Sequence, residues 1–404
     1  MATFNPRRFA QPDTLKLIAH NRLVEFLQPF ATYLVDRGLT LPSGNGAEID
    51  YGKLSMILMS PDENTPSELA DALYYVHEMA TRGEMDVLLE AAKEAGFALD
   101  DDSDTSPADV AVYVWLKDRD LLEKKHAEMI ALRPKSFEYF AGKVGGPNPI
   151  PNPTAKKISD IQAHLDAWFL ENKRGDGSKV FVFPDEANSK AWILVRHGKP
   201  LRREGTHDGG KSSSIYFRPE VHDVLIYNAL LDEIAIVRSG TKGEKNLYRE
   251  AFGLHLFGDA DYFPGGDKFT LQPLLTDGVD SLVCTDIEGI EWIKLREVQR
   301  YWGGTQKEIE TRRADDLFAA MEVRDASFSA KAKLTSAVFT VKFESVKTPR
   351  SVTIRPKNVA MYTRDEDSVR VEKWLTNRGF ASAPKLEENN LEIVENVDAA
   401  LAYA

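Results

Sequence analysis

The spacing of the apolar residues changes part-way along this 404-residue chain, and that change limits the folds open to it more than any other feature. Over residues 1–143 apolar side chains recur every three or four positions, the period of helices with one buried face. A further helical stretch covers 155–172, with Ile158, Ile161, Leu165, Trp168 and Phe169 on one face. After it come short β-branched and aromatic runs at 179–183, 191–195, 214–217, 221–227 and 233–237, separated by turn residues, which is the pattern of hairpins in an antiparallel sheet. A helical segment at 242–257 interrupts them, and strands resume at 269–275, 281–285 and 290–298. A helix at 306–322 then precedes a last β unit at 337–344 and 351–362 and a terminal helix at 367–378. The expected fold class is α+β: an all-helical N-terminal domain followed by an antiparallel β-rich C-terminal half with interspersed helices. Strand and helix never alternate regularly enough for a doubly wound parallel sheet, and no repeat of solenoid period occurs.

Helix starts and breakers divide the chain. Thr65-Pro66-Ser67-Glu68 and Ser106-Pro107-Ala108-Asp109 each offer a hydroxyl cap, a proline at the first helical position and a carboxylate two residues later, so both should open helices. An earlier helix is expected over 15–37, bent or divided at Pro29 and ended by Gly38. The acidic run at 100–104 lacks the glycine and terminal glutamate of a calcium loop and reads as an exposed turn. Residues 144–153 are rich in proline and glycine and uncharged, the composition of a linker. The expected domains are an acidic helical domain at 1–143, a Pro/Gly linker at 144–155, a helix plus antiparallel β-rich domain at 156–304, an α+β unit with a basic hairpin and terminal helix at 305–380, and a loosely ordered tail at 381–404.

Composition narrows the class. With 43% hydrophobic residues each domain can build its own core. No segment approaches the roughly 18 apolar residues of a membrane span, and the N-terminus lacks the apolar stretch of a signal peptide, so a soluble cytoplasmic protein without membrane partners is expected. The single cysteine, Cys284, lies in an apolar run and reads as a buried, inert thiol.

The charge is unevenly placed. The chain carries 63 Asp and Glu against 51 Lys and Arg, but residues 1–150 hold 24 acids and 15 bases, leaving the remainder close to neutral. Two stretches are concentrated and basic. Arg196, Lys199, Arg202, Arg203, Lys211 and Arg218 stand against Glu204 and Asp208, and Lys331, Lys333, Lys342, Lys347, Arg350, Arg355 and Lys357 stand against Glu344. Such cations contact phosphates, and Trp192, Tyr216 and Phe217 lie near the first stretch, although the alternation around Trp192 and Phe217 marks them as inward strand residues.

Catalytic signals are weaker. Gly205 to Ser212 spells G-x-x-x-x-G-K-S, but a phosphate-binding loop needs a helix after it, and the residues that follow read as strand, so a glycine-rich hairpin loop is expected. His197, His207, His222 and His255 fall in one β-rich stretch with Asp223, Asp259 and Asp261. A metal-dependent phosphodiesterase or nuclease could draw on His222, His255, Asp259 and Asp261, with magnesium or manganese activating water. No H-x-x-x-H or H-x-H pair supports it, and Glu291 to Lys294 has the wrong spacing for a nuclease strand motif. No G-x-S-x-G elbow occurs.

The sequence therefore favours a non-enzymatic interaction protein, of the kind found in multi-subunit prokaryotic systems, binding nucleic acid or a nucleic-acid-processing protein through its basic β-rich segments, with a homo- or hetero-oligomer open to it. The acidic helical domain would dock a partner or cover the basic surface. The metal-dependent nuclease and a purely structural scaffold subunit are the alternatives.

Overall fold

The computed structural model describes residues 9, 11–42, 48–62, 64–99, 105–208, 210–237, 240–329, 331–364 and 367–382. The expected acidic turn at 100–104 and all but two residues of the expected tail lie outside them. The chain forms two compact units, Met1–Met129 and Ile130–Ala404. Among the described residues no helix is long and apolar enough to cross a membrane.

The first unit is helical: α1 (Pro12–Leu15), α2 (His20–Leu27), α3 (Ala31–Asp36), α4 (Tyr51–Met59), α5 (Ser67–Met79), α6 (Arg82–Glu94), α7 (Pro107–Lys117) and α8 (Arg119–Ala131). Leu23, Leu27, Leu34, Leu54, Leu69, Val76, Leu88, Val110 and Val114 share its core, and α7 runs through the middle. Ser106 caps α7 as the sequence implies, accepting from Asp109 N at 3.1 Å while donating to Leu17 O at 2.9 Å. Asp109 in turn accepts from Ala19 N at 2.9 Å and pairs with Arg22, which ties α2 to α7. The other expected cap moves. Thr65 Oγ1 accepts from Asp62 N and meets Tyr33 Oη at 2.9 Å, so it closes the preceding turn, and α5 starts after Pro66 without a side-chain cap.

The second unit is an antiparallel sheet with helices on both faces. Its elements are β1 (Ser136–Ala141), α9 (Ala155–Glu171), β2 (Lys179–Asp185), β3 (Lys190–Gly198), β4 (Arg202–Asp208), β5 (Lys211–Phe217), β6 (Glu220–Asn228), β7 (Glu233–Val237), α10 (Lys242–Phe257), α11 (Pro273–Thr276), β8 (Ile290–Gly303), β9 (Glu308–Arg313), α12 (Leu317–Glu322), β10 (Lys333–Phe343), β11 (Arg350–Arg355), β12 (Val359–Met361) and α13 (Ser368–Asn377). Among the described residues ten strands run in the order β2-β3-β6-β7-β1-β12-β11-β10-β8-β9, and β4 and β5 form a separate two-stranded pair.

Period-2 alternation sets the two faces. Ile193, Val195, Leu225, Tyr227, Ile234 and Ile236 turn towards α9 and α10 and form one core with Ile161, Leu165, Leu247 and Phe252. Register carries the other face across the sheet: Phe137 stands opposite Ala360, Ala360 opposite Ile354, and Val352 opposite Phe339. On that face the fully buried Trp374 of α13 meets Phe339 and Phe380 at centroid distances of 5.1 and 5.2 Å. Side chains of α9 also cover the β2 edge: Gln162 accepts from Val180 N at 3.0 Å, and Asp166 accepts from Gly177 N and Ser178 N.

The α+β class is as the periodicity implies, with the helices in the N-terminal part and the strands mainly after it. Individual segments differ. Residues 136–141 were expected in the helical domain but form β1, because Phe137 and Tyr139 point to one face and Phe140 to the other. The Pro/Gly stretch lies inside the second unit and is fastened there: Val144 N and Gly145 N both donate to Asp232 Oδ2 at 3.0 Å, and Asn148 N donates to Ala229 O at 2.8 Å. Asp232 is wholly buried and also accepts from the hydroxyls of Tyr227 and Tyr262, so the linker-like backbone satisfies a carboxylate that would otherwise be stranded. Gly142 is required beside it, since a Cβ there would lie 2.3 Å from an Asp232 oxygen.

The expected strand at 281–285 is a 3-10 turn and loop that buries Leu282 and Cys284 without pairing, and 269–275 contributes one bridge, Phe269 to Ala381, before Pro273 opens α11. The expected helix over 306–322 is β9 followed by α12. The charges of β9 belong to a sheet edge, where they discourage pairing with other chains. One sheet thus passes through both expected units, 156–304 and 305–380.

Candidate functional site

The basic stretch from Arg196 to Arg218 is the end of β3 and the hairpin of β4 and β5. A two-stranded hairpin is marginal alone and needs a fixed base. Here Lys199 N donates to Pro219 O at 2.8 Å, and Arg218 reaches the Lys173 carbonyl. Gly198 sits where a Cβ would lie 2.6 Å from the Arg174 carbonyl oxygen, so only glycine fits at this root.

Register fixes what the arm presents. Arg203 stands opposite Tyr216, Gly205 opposite Ser214, and His207 opposite Ser212, so these share one face. Tyr216 is 63% exposed, Arg203, Gly205 and His207 are exposed, and the small residues leave the space beside the ring open. The other face carries Arg202, Ile215 and Lys211, all exposed, and Leu201 is exposed at the start. Arg202 pairs with Glu204 at 3.0 Å. The G-x-x-x-x-G-K-S letters fall across this hairpin with a strand on each side and no helix after them; Gly209 lies outside the described residues.

Arg196 projects from β3 on the opposite side from α9, close to Glu220 at 3.7 Å. Three of the seven cations of the second basic stretch stand in ion pairs. Lys342 bonds Glu291 at 2.9 Å, Arg350 bonds Asp367 at 2.9 Å, and Lys357 is 3.8 Å from Asp267; Lys331, Lys333 and Lys347 are exposed, and Arg355 is half-buried. Between β3 and β11 stand β6, β7, β1 and β12, a separation of about 24 Å at the usual strand spacing. The two basic stretches therefore do not form one surface.

Nor do the four metal candidates meet. His222 lies on β6 beside Glu220, on the face away from α10, and burial together with Arg196 pushes its pKa down to about 4, so it is neutral. His255 is near the end of α10, against His164 of α9. Asp259 bonds Lys143 and accepts from the backbone N of Asp261 at 2.9 Å, which makes it a turn former. Among the described residues, the group of three potential ligands that does converge is His197, Asp223 and Glu244, whose donor atoms lie within 4.8 Å of one another.

That cluster is assembled from β3, β6 and the first turn of α10. Asp223 Oδ2 accepts from Tyr248 Oη at 2.7 Å and lies 3.1 Å from His197 Nε2, while His197 Nδ1 faces the Gly198 carbonyl at 3.0 Å. Phe169 stacks on the imidazole at 4.3 Å. Glu244 closes the capping box of α10 with Thr241 and pairs with Arg174 at 2.7 Å. Burial, reinforced by the Asp223 charge, raises the Tyr248 pKa well above the usual phenol range, so it stays a donor. The carboxylates are thus filled by protein donors, a guanidinium occupies the place where a cation would approach, and the cluster acts as an internal brace at the root of the arm. The sequence carried His197 and Asp223 only as neighbours of other candidates; the Thr241-to-Glu244 cap spacing was the available sign of Glu244, and Tyr248 and Arg174 had none.

On the opposite face a shallow cleft has room for a water molecule and is lined by Tyr139, Lys190, Trp192, Arg364 and Glu372 among others. Glu372 takes hydrogen bonds from Tyr362 at 2.9 Å and Arg364 at 3.1 Å and pairs with Lys190 at 3.3 Å, while Arg364 stacks 3.6 Å over the Tyr362 ring. These contacts join α13 to β3 and to the segment that follows β12. No protein-family model matches this chain, and no curated protein matches its sequence.

Proposed function

We propose that the protein binds single-stranded nucleic acid through the β4–β5 arm, with no chemistry of its own at that site. The observation that carries this reading is the exposed Tyr216 ring directly across from Arg203, with Gly205 and Ser214 leaving the adjoining surface open. A base stacks on the ring at a gain of about 1–3 kcal/mol, and cations on both faces of the hairpin hold the backbone on either side. Every base has a flat face, so such a platform selects single strands over duplexes and is largely indifferent to sequence. The pairing of Lys342 with Glu291 and of Arg350 with Asp367 supports the arm, ahead of the second basic stretch, as the contact.

The test is fluorescence anisotropy of labelled oligonucleotides with the full chain. Three engaged cations, Arg202, Arg203 and Lys211, give a log–log salt slope of about −2 for a single strand. Tyr216→Ala should weaken binding about tenfold or more at every salt concentration. Arg203→Glu with Lys211→Glu should weaken it further and flatten the slope. Equal affinity of the native and substituted chains at low salt would remove the proposal.

A further inference from the structure

Over the sheet, α9 and α10 pack side by side, and their facing surfaces bring together two histidines far apart in sequence. His164 Nδ1 lies 3.2 Å from His255 Nε2, with the ring planes at 78°. We propose that this pair is a chelating site for a late first-row divalent metal ion of the zinc and copper class.

The distance carries the argument. Two nitrogens bound to one tetrahedral ion at about 2.0–2.1 Å stand about 3.3 Å apart, so the two rings already span one edge of a coordination tetrahedron. An ion enters by a small rotation of each ring, without moving either helix. The proton that now lies between the nitrogens moves to the outer nitrogen of its own ring, so two neutral imidazoles present lone pairs to the ion and no net proton is released. Both side chains are partly exposed, which gives an ion and its waters a path that the sealed His197 cluster lacks.

A carboxylate lies one turn away along α9. Asp160 is exposed one turn before His164 on α9, and its charge is felt at His255. Two imidazoles suit zinc, copper or nickel better than the oxygen-seeking magnesium or manganese of a nuclease. Bound there, the ion would pin α9 to α10 over the sheet.

The experiment is calorimetric titration of the full chain, stripped with chelator, with zinc sulfate. One equivalent should bind to the native chain, His164→Ala and His255→Ala should each weaken binding at least about tenfold, and the double variant should bind no more tightly than either single one. His20→Ala, at an exposed position in the first unit, should leave binding unchanged. With copper(II), electron paramagnetic resonance should show coupling to two nitrogens in the native chain and lose it in the double variant. Absence of saturable zinc binding, or zinc affinity and copper spectra unaltered in the double variant, would overturn the assignment.

Discussion

Replacing Asp223 by alanine is the sharpest single test of how the second unit holds together. The carboxylate is 2% exposed and faces two donors, Tyr248 Oη at 2.7 Å and His197 Nε2 at 3.1 Å. His197 Nδ1 faces the Gly198 carbonyl and Nε2 faces Asp223, so removing the carboxylate takes a buried hydrogen-bond partner from His197 and the acceptor from Tyr248. Breaking a buried pair by deleting one partner costs about 3–5 kcal/mol, and orphaning the Tyr248 hydroxyl falls within the same range of effects. We take about 4 kcal/mol in total. At a urea dependence of about 3 kcal/mol/M for a unit of this size, the unfolding midpoint should fall by about 1.3 M.

Tryptophan fluorescence reads this unit, because Trp168, Trp192, Trp292, Trp302 and Trp374 belong to it and Trp115 alone to the other. His197→Ala should cost a similar amount, and the two substitutions together should cost much less than the sum, because each orphans the other's partner. Replacing His197, Asp223 and Tyr248 together by leucine, leucine and phenylalanine should recover most of the loss. A midpoint shift below about 0.3 M for Asp223→Ala, or full additivity with His197→Ala, would refute the reasoning.

Two further outcomes are expected. Burial opposes ionisation of Glu372, but Lys190, Arg364 and the Tyr362 hydroxyl hold its pKa down to about 2, so its contribution is present above pH 4.5 and is lost as the pH falls towards 2. Glu372→Gln should flatten the loss of urea stability over that window; an unchanged acid profile would contradict this. Gly198→Ala should force a Cβ to 2.6 Å from the Arg174 carbonyl, costing about 1–3 kcal/mol at the root of the arm. Trypsin should then cut at Arg202, Arg203 or Lys211 several-fold faster, and an unaltered cleavage rate would show that the root tolerates the methyl group.

The elements legible in the sequence are those whose ends carry their own chemistry. Thr241, Glu244 and Gly258 bound α10 so closely that its expected and observed limits coincide, and Ser106 does the same for the start of α7. Apolar runs without such punctuation mislead, as at 281–285, where Leu282 and Cys284 are buried in a turn rather than a strand. In β9 the glutamates and arginines read as a helix surface because edge protection and helix solubility draw on the same residues.

The arm was legible as a basic glycine-rich hairpin, but which side chains share a face depends on register, and register follows from a turn whose length the letters alone do not fix. The His197 cluster was out of reach for another reason. Its members come from β3, β6 and α10, and only the sheet order brings them into contact.

The position of β1 has a bearing on how the chain is made. It is the first strand synthesised, yet it lies in the interior of the sheet, with Phe137 beside Val237 on one side and Ser136 beside Met361 on the other. At about 5–20 residues per second, its second partner leaves the ribosome roughly 10–45 s after it does. For that interval the strands up to β7 can close on β1, but its far edge stays open and apolar. Completion of the sheet waits on the last fifth of the chain, and a nascent chain stalled before β12 would present the unpaired edge on which strands of other chains add.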